Sequence, residues 1–275
     1  MDPNLHLELA SVPQHLNNDI YAKYNKVVGS LRYLCEWTVP EISFAAQVLA
    51  RHLSNPGPDH WAAAKRVLRY LKGVSSLSLK YSPQSDTSLA NRLLGFADSD
   101  WAADRISRRS VGSWVYLLNG GAVSWKSKQH PCVAVSTSEA EFMSASKAAL
   151  EAVWLRRILA DAGAPQASPT PLYEDNRSCR LMSENPVHRE RSKHIDIRVY
   201  SLREQVERGV VRLIDCPTAD MTADALTKAL PAPAFIKHRQ CMRGHSPPSA
   251  PRFPQDLTVP AHCAIVFHSA GRLSL

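Results

Sequence analysis

Apolar and polar residues alternate with different periods along this 275-residue chain, and the periods divide it. Residues 20–53 follow a helical pattern, with a turn forced near Val39-Pro40. The next helical stretch is bounded by its own signals. Gly57 suits the N-cap, Pro58 the first helical position and Gly73 the position after the end. Trp61, Ala64, Leu68 and Leu71 form one apolar stripe of this helix, and Lys65, Arg69 and Lys72 line another face. That second face could track a phosphate backbone or simply meet solvent. Residues 82–92 (SPQSDTSLANR) are polar and turn-rich and mark a domain boundary.

Beyond the boundary the period shortens. Leu93–Trp101, Val111–Leu118 and Ala122–Lys128 read as strands, the last two joined by a hairpin at Asn119-Gly120-Gly121. A long helix follows from about Glu139 to Ala162, closed by Gly163. Then come a short strand (PLYED, 171–175), helical segments over 176–208, a strand (VVRLID, 210–215) and a last helix over 221–230. Three antiparallel strands followed by alternating helices and strands imply an α/β fold, a mixed sheet with helices on its faces. From residue 244 the period is lost, and five prolines fall among the last 32 residues. The expected organisation is therefore a helical segment over 1–82, an α/β domain over 83–236 and a poorly ordered tail over 237–275.

Charge adds one qualification. The net charge of +8 suggests an acidic partner such as nucleic acid. It is unevenly spread: +3 over residues 1–82, zero over 83–224 and +5 over 225–275. The basic excess thus lies in the flanks of a neutral centre. Six cysteines without a CxxC pair fit a reducing compartment, and no leader-like start or membrane-length apolar run is present. The expectation is a cytoplasmic or nuclear protein, neither secreted nor membrane-bound.

Candidate chemistry sits in the acids. In GFADSDWAAD (95–104), Asp98 and Asp100 share a face of the first strand, with Asp98 deeper in the apolar run. Asp104, beside Arg105, reads as a solvated turn residue. Two overlapping capping boxes, Ser136-x-x-Glu139 and Ser138-x-x-Glu141, compete for the start of the long helix. Glu141 also heads a stripe of small residues at 145, 148 and 152 that suits close packing on a sheet. Asp175 follows a strand end and Asp224 lies early in the last helix, where a cap and a dipole partner are the ordinary readings. Should Asp98, Glu141, Asp175 and Asp224 converge, their repulsion calls for protons or divalent cations. An all-carboxylate donor set suits Mg²⁺ or Mn²⁺.

At this point longer words match a known family. GFADSDWAAD, RISRRSVGSWVYLLNGGAVSWKSKQ, VAVSTSEAEFMSAS, EAVWLRRIL, LYEDNRS, NPVHRERSKHIDIR and CPTADMTADALTK resemble the ribonuclease H domain of copia-type retrotransposon Pol polyproteins. Upstream, YNKVVGSLRYL and HLSNPGPDHWAAAKRVLRYLKG resemble the C-terminal end of the reverse transcriptase of such elements. The resemblance covers residues 20 to about 236. It implies a ribonuclease H-like mixed five-stranded sheet preceded by a small helical remnant of the polymerase. It implies that Asp98, Glu141, Asp175 and Asp224 are both catalytic and metal-binding, holding two Mg²⁺ (or Mn²⁺) ions. It further implies substrate contacts by Lys126, Lys193 and His194, and hydrolysis of the RNA strand of an RNA–DNA hybrid that leaves a 3′-hydroxyl. The upstream polymerase portion is expected as a missing partner, because no Y-x-D-D sequence occurs. Arg180 departs from the family pattern, which has a small or apolar residue after EDN-x-S. The competing expectation is a catalytically silent fragment that binds nucleic acid or a partner protein.

Overall fold

A computed structural model of the chain describes residues 16–82, 90–104, 106–184 and 196–245. The first segment folds into α1 (Asn18–Trp37), a short 3₁₀ turn (Pro40–Ile42), α2 (Ser43–Ala50) and α3 (Pro58–Gly73). Asn17 caps α1 through its side chain, which accepts from the Ile20 amide at 2.9 Å. The break expected near Val39-Pro40 occurs there. At the start of α3 the Gly57 amide donates to His60 Nδ1 at 2.8 Å. Gly73, expected just past the end, is the last residue of α3 itself, so the helix runs further than the sequence suggested and Val74 caps it. These helices share their own core, centred on Tyr24, Val28, Leu31 and Leu49.

The second segment is a five-stranded mixed sheet. Its strands are β1 (Leu94–Asp100), β2 (Val111–Leu118), β3 (Gly121–Gln129), β4 (Thr170–Glu174) and β5 (Val211–Asp215). Their spatial order is β3-β2-β1-β4-β5. The first three pair antiparallel, while β4 runs parallel to both β1 and β5. The β2–β3 hairpin turns through Asn119 (φ 49°) and Gly120 (φ 85°), the pair of left-handed residues that a type I′ turn requires. This is the ribonuclease H-like mixed five-stranded sheet that the family resemblance implied, and it agrees with the mixed sheet read from the strand pattern.

Side-chain alternation gives the sheet two buried faces. On one, Ala97, Tyr116 and Leu172 pack against α4 (Thr137–Asp161) and α6 (Asp196–Glu207). The fully buried Ala145, Ala148, Ala149 and Ala152 let α4 lie close to the strands. Gly95 makes room for this packing, since a Cβ there would stand 2.4 Å from the Tyr116 ring. On the other face, Phe96 stacks on Tyr173 at 4.9 Å, and both are covered by a 3₁₀ segment (Thr222–Leu226) and α7 (Ala232–Met242). The α5 helix (Arg177–Glu184) follows β4, and Arg180 pairs with Asp215 at 2.8 Å. The unusual residue after EDN-x-S is therefore satisfied by the end of β5.

Two expectations about the C-terminal part change. The single helix expected over 221–230 is two 3₁₀ turns, Thr218–Asp220 and Thr222–Leu226. The true helix starts only after Pro231, whose ring suits a helix start and not an interior. The tail boundary expected at 236 falls inside α7, which continues to Met242 with His238, Cys241 and Met242 buried. Residues 246–275 lie outside the described residues, as do 83–89 of the expected linker.

The helical segment is fastened to the sheet at several points. Trp125 Nε1 donates to the Cys35 carbonyl at 2.5 Å. Glu41 and Arg243 form an ion pair at 2.6 Å with side chains only 0 and 3% exposed. Tyr70 donates to the same Glu41 oxygen at 3.0 Å, and Arg243 Nη1 donates to the Leu77 carbonyl at 2.5 Å. Removing one member of a buried, hydrogen-bonded pair strands the other charge, which costs about 3–5 kcal/mol. Arg243→Ala should therefore lower unfolding free energy in urea by that order, whereas truncation after His245 should leave it nearly unchanged. Equal effects from the two changes would show that Arg243 acts only as part of the tail.

Candidate active site

The long helix α4 decides which of its first acids is free. Ser136 is the N-cap, its hydroxyl accepting from the Glu139 amide at 3.2 Å. Glu139 reaches back, its Oε2 accepting from the Val135 amide at 2.6 Å. The cap at Ser136 is the one that forms, and Glu139 is committed to the helix start through the Val135 amide, not through the N-cap amide that a full capping box would use. Glu141 is left buried, with Oε2 lacking a hydrogen-bond partner.

Glu141 meets Asp98 and Asp175. One carboxylate oxygen from each lies within 4.8 Å of the others. Asp98 is 2% exposed in the body of β1 and receives a hydrogen bond from the Thr227 hydroxyl. Asp175 follows the end of β4 and accepts from Thr218 Oγ1 at 3.0 Å. Asp224, in the 3₁₀ segment behind β1, is buried beside Asp98 but lies outside that group of three, and it pairs with Lys228 at 2.8 Å. Ser113 of β2 donates to the Ala223 carbonyl at 3.0 Å and so fixes that segment on the sheet. The end of β1, the end of β4 and the start of α4 thus bring acids together at the carboxyl ends of two neighbouring strands, with the 3₁₀ turn adding Asp224 beside them.

The electrostatics follow from this crowding. Burial pushes the Glu141 carboxyl well above its ordinary range, and the charges of Glu174, Asp98 and Asp175 push it further. Burial and the neighbouring Asp98 raise Asp175 as well. Asp224 is raised to about 7 by burial and then by Asp98, against the pull of Lys228. Burial alone would depress Lys228, but Asp98 and Asp224 outweigh it and hold the ammonium at about 12. Two unit charges 4.8 Å apart repel by roughly 3.5 kcal/mol at an effective dielectric near 20. One lysine cannot balance so many acids.

The sequence reading missed two members of this environment. Glu174 is 1% exposed, and burial holds its carboxyl far above normal, with Asp98 and Asp175 adding to the shift. Its signal was strand parity: Leu172 packs on the α4 side, so the residue two places on points the same way. Lys228 was visible in ADALTK but had no assigned partner until the 3₁₀ turn placed it beside Asp224.

Other expected positions fall elsewhere. Asp100 is half-buried on the same strand face as Asp98, its carboxyl raised by burial. Asp104 is no solvated turn residue. It is 9% exposed and accepts from the Ile106 and Ser107 amides at 3.0 Å, from Gln129 Nε2 at 2.7 Å and from Arg51 at 2.5 Å. Burial would raise its carboxyl, but these donors and the Arg51 charge together hold it at about 2. Lys126 is not an open contact. Its ammonium pairs with both oxygens of Glu36 in α1 at 2.8 Å. Lys193 and His194 lie outside the described residues. Among the described residues, no helix is long and apolar enough to cross a membrane.

A mixed sheet in this order, with acids gathered at the end of its first strand, defines a ribonuclease H-like domain. The chain belongs to the retrovirus-related Pol polyproteins of copia-type transposons. It is 36% identical over 223 residues to the retrovirus-related Pol polyprotein from transposon TNT 1-94 of Nicotiana tabacum. That match covers 81% of this chain and 16% of the polyprotein, so the chain spans about one sixth of its relative's length. It is also 44% identical over 132 residues to secreted RxLR effector protein 161 of Plasmopara viticola, covering 48% of this chain and 90% of that one. Among solved structures, RNase H1 from the halophilic archaeon Halobacterium salinarum aligns over 50% of this chain and 94% of its own, with 18% identity and a TM-score of 0.37. No family model matches the chain.

The two acids of α4 should respond oppositely to loss of charge. Glu141→Gln removes repulsion at a buried site and should raise the melting temperature measured in chelator. Glu139→Gln weakens a capping contact of the kind worth about 0.5–2 kcal/mol and should lower it. A fall for Glu141→Gln together with no change for Glu139→Gln would reverse the assignment.

Proposed function

We propose that this chain hydrolyses the RNA strand of RNA–DNA hybrids, with Asp98, Glu141, Asp175 and Asp224 as the catalytic, metal-holding acids. The observation that carries the reading is the convergence of Asp98, Glu141 and Asp175 within 4.8 Å around the end of β1. The donor set fits divalent cations of the Mg²⁺ or Mn²⁺ kind. It is all oxygen, it is short of counter-charge, and Glu141 carries a buried oxygen without a partner. Two such ions, when bound, would activate water and neutralise the departing oxygen of a phosphodiester. The protein's own groups hold this arrangement: Thr227 orients Asp98, Thr218 orients Asp175, and Lys228 steadies Asp224. The reaction adds water at phosphorus and breaks the bond to the 3′ oxygen, leaving a 3′-hydroxyl and a 5′-phosphate. The membership in Pol polyproteins supports a hybrid as substrate, since an RNA–DNA duplex is the intermediate that reverse transcription must clear. Lys193 and His194 are proposed substrate contacts on the family resemblance alone.

The test is cleavage of an end-labelled RNA–DNA hybrid by the purified chain with Mg²⁺. The parent should cut only the RNA strand, Asp98→Asn should abolish cutting, and Asp100→Asn should act far more mildly. Cutting that survives Asp98→Asn, or proceeds equally in chelator, would refute the metal-acid mechanism. An intact parent that binds the hybrid without cutting it would instead favour the silent binding fragment.

A further inference from the structure

A buried polar junction ties β1 to α4 beside the acidic cluster, and none of its side chains is a cluster acid. Its centre is His130, the residue after β3, which is 1% exposed. Its backbone is fixed just before β2, where the Ser110 carbonyl accepts from the His130 amide at 2.8 Å. Lys147 of α4 meets the ring with its Nζ 3.2 Å from Nδ1. An ammonium can only donate, so Nδ1 accepts and the ring hydrogen sits on Nε2. That nitrogen stands 3.4 Å from two buried hydroxyls, those of Ser99 in β1 and Ser144 in α4. Room for the ring comes from β2. Gly112 pairs with Ser99 in the sheet register, and a Cβ there would stand 2.6 Å from His130 Cε1 and 2.3 Å from Ser144 Oγ.

The junction spans the same two elements that the acids push apart. Ser99 directly follows Asp98, and Ser144 lies three places after Glu141 on the same side of the helix. Repulsion between Asp98 and Glu141, which share a group within 4.8 Å, drives β1 and α4 away from each other. We propose that His130 is a positioning residue: through Ser99 and Ser144 it holds β1 against the N-terminal half of α4, and so sets the spacing of Asp98 and Glu141 at which a divalent cation binds. This inference rests on the reading of the cluster as a cation site. Imidazole suits the task. It is rigid, it accepts at one nitrogen and donates at the other, and one ring therefore couples a lysine and two serines from both elements. His130 itself touches neither the ion nor the substrate and acts only through the backbone of β1 and α4.

The test compares His130→Leu, which removes both ring nitrogens, with His130→Gln, whose amide can still accept from Lys147 and donate to a serine. Val67→Ala, in the separate core of the helical segment, controls for a loss of stability alone. Mg²⁺ is titrated into each full-length protein, and the concentration that gives half of the rise in melting temperature is read. His130→Leu should raise that midpoint about tenfold, as loss of an outer partner of a metal site does. His130→Gln should recover most of the change, and Ser144→Ala, a smaller cut, should move the midpoint in the same direction. Val67→Ala should melt lower and keep the parent's midpoint. In hybrid cleavage, His130→Leu should lower kcat and leave KM unchanged. A second arm needs no metal. In chelator, breaking the junction lets the two acids separate, so His130→Leu should cost less stability in the parent than in Asp98→Asn, which has less repulsion to release. Equal costs in the two backgrounds, or a parent-like Mg²⁺ midpoint for His130→Leu, would make His130 a packing residue and overturn the inference. A parent that responds to Mg²⁺ but never cleaves, with the midpoint shifts as stated, would sustain the positioning role and remove only the hydrolytic reading. A parent whose melting ignores Mg²⁺ would remove the cation site, and the inference with it.

Discussion

Repulsion among buried carboxylates is the constraint on which the rest of this structure depends. Asp98 and Glu141 are buried, Asp175 is half-buried, and the three lie close enough for their charges to repel strongly. Stability alone would favour an apolar group at each position. The fold instead invests in keeping the acids together. Thr227 and Thr218 fix two of them, Ser113 ties down the 3₁₀ turn that brings Asp224, and the alanine stripe of α4 lets Glu141 approach the strands. A site held under such tension, with one lysine at its margin, is short of counter-charge.

The helical segment belongs to the same account. Its contacts with the sheet domain are specific: a buried ion pair between Glu41 and Arg243, an indole on the end of α1, and Arg51 on Asp104. Asp104 shows how the opening acidic stretch divides its labour. Three aspartates lie within seven residues, yet Asp98 faces the cluster, Asp100 stands half-buried beside it, and Asp104 braces the β1–β2 turn against α2. Similar residues in one short stretch are separated by strand parity and by what packs over each.

Much of this was legible in the sequence, for physical reasons. Period-two strands, a hairpin marked by Asn119-Gly120 and a long helix with a small-residue stripe are local signals, and β2 in particular begins and ends where the pattern said. What failed needed tertiary information. Two capping boxes two residues apart are equivalent in sequence, and only packing against β1 chooses between Glu139 and Glu141. The segment around Asp224 has helical composition, but docking against β1 and β2 holds it in 3₁₀ turns, and Pro231 delays the helix. Glu174 was hidden by its neighbour Asp175, which looked like the functional half of the pair. Lys126 looked available because its partner, Glu36, is 90 residues away.

The central claim is that the acids of this cluster form a binding site for divalent cations, and that they are not merely buried polar residues. The most direct measurement is the melting temperature of the parent and of Asp98→Asn, each in chelator and in saturating Mg²⁺. The account predicts that Mg²⁺ raises the parent's midpoint by several degrees, and that Asp98→Asn melts at or above the parent in chelator and gains nothing from the ion. A parent indifferent to Mg²⁺, with Asp98→Asn destabilised in chelator, would contradict it and make Asp98 a structural residue.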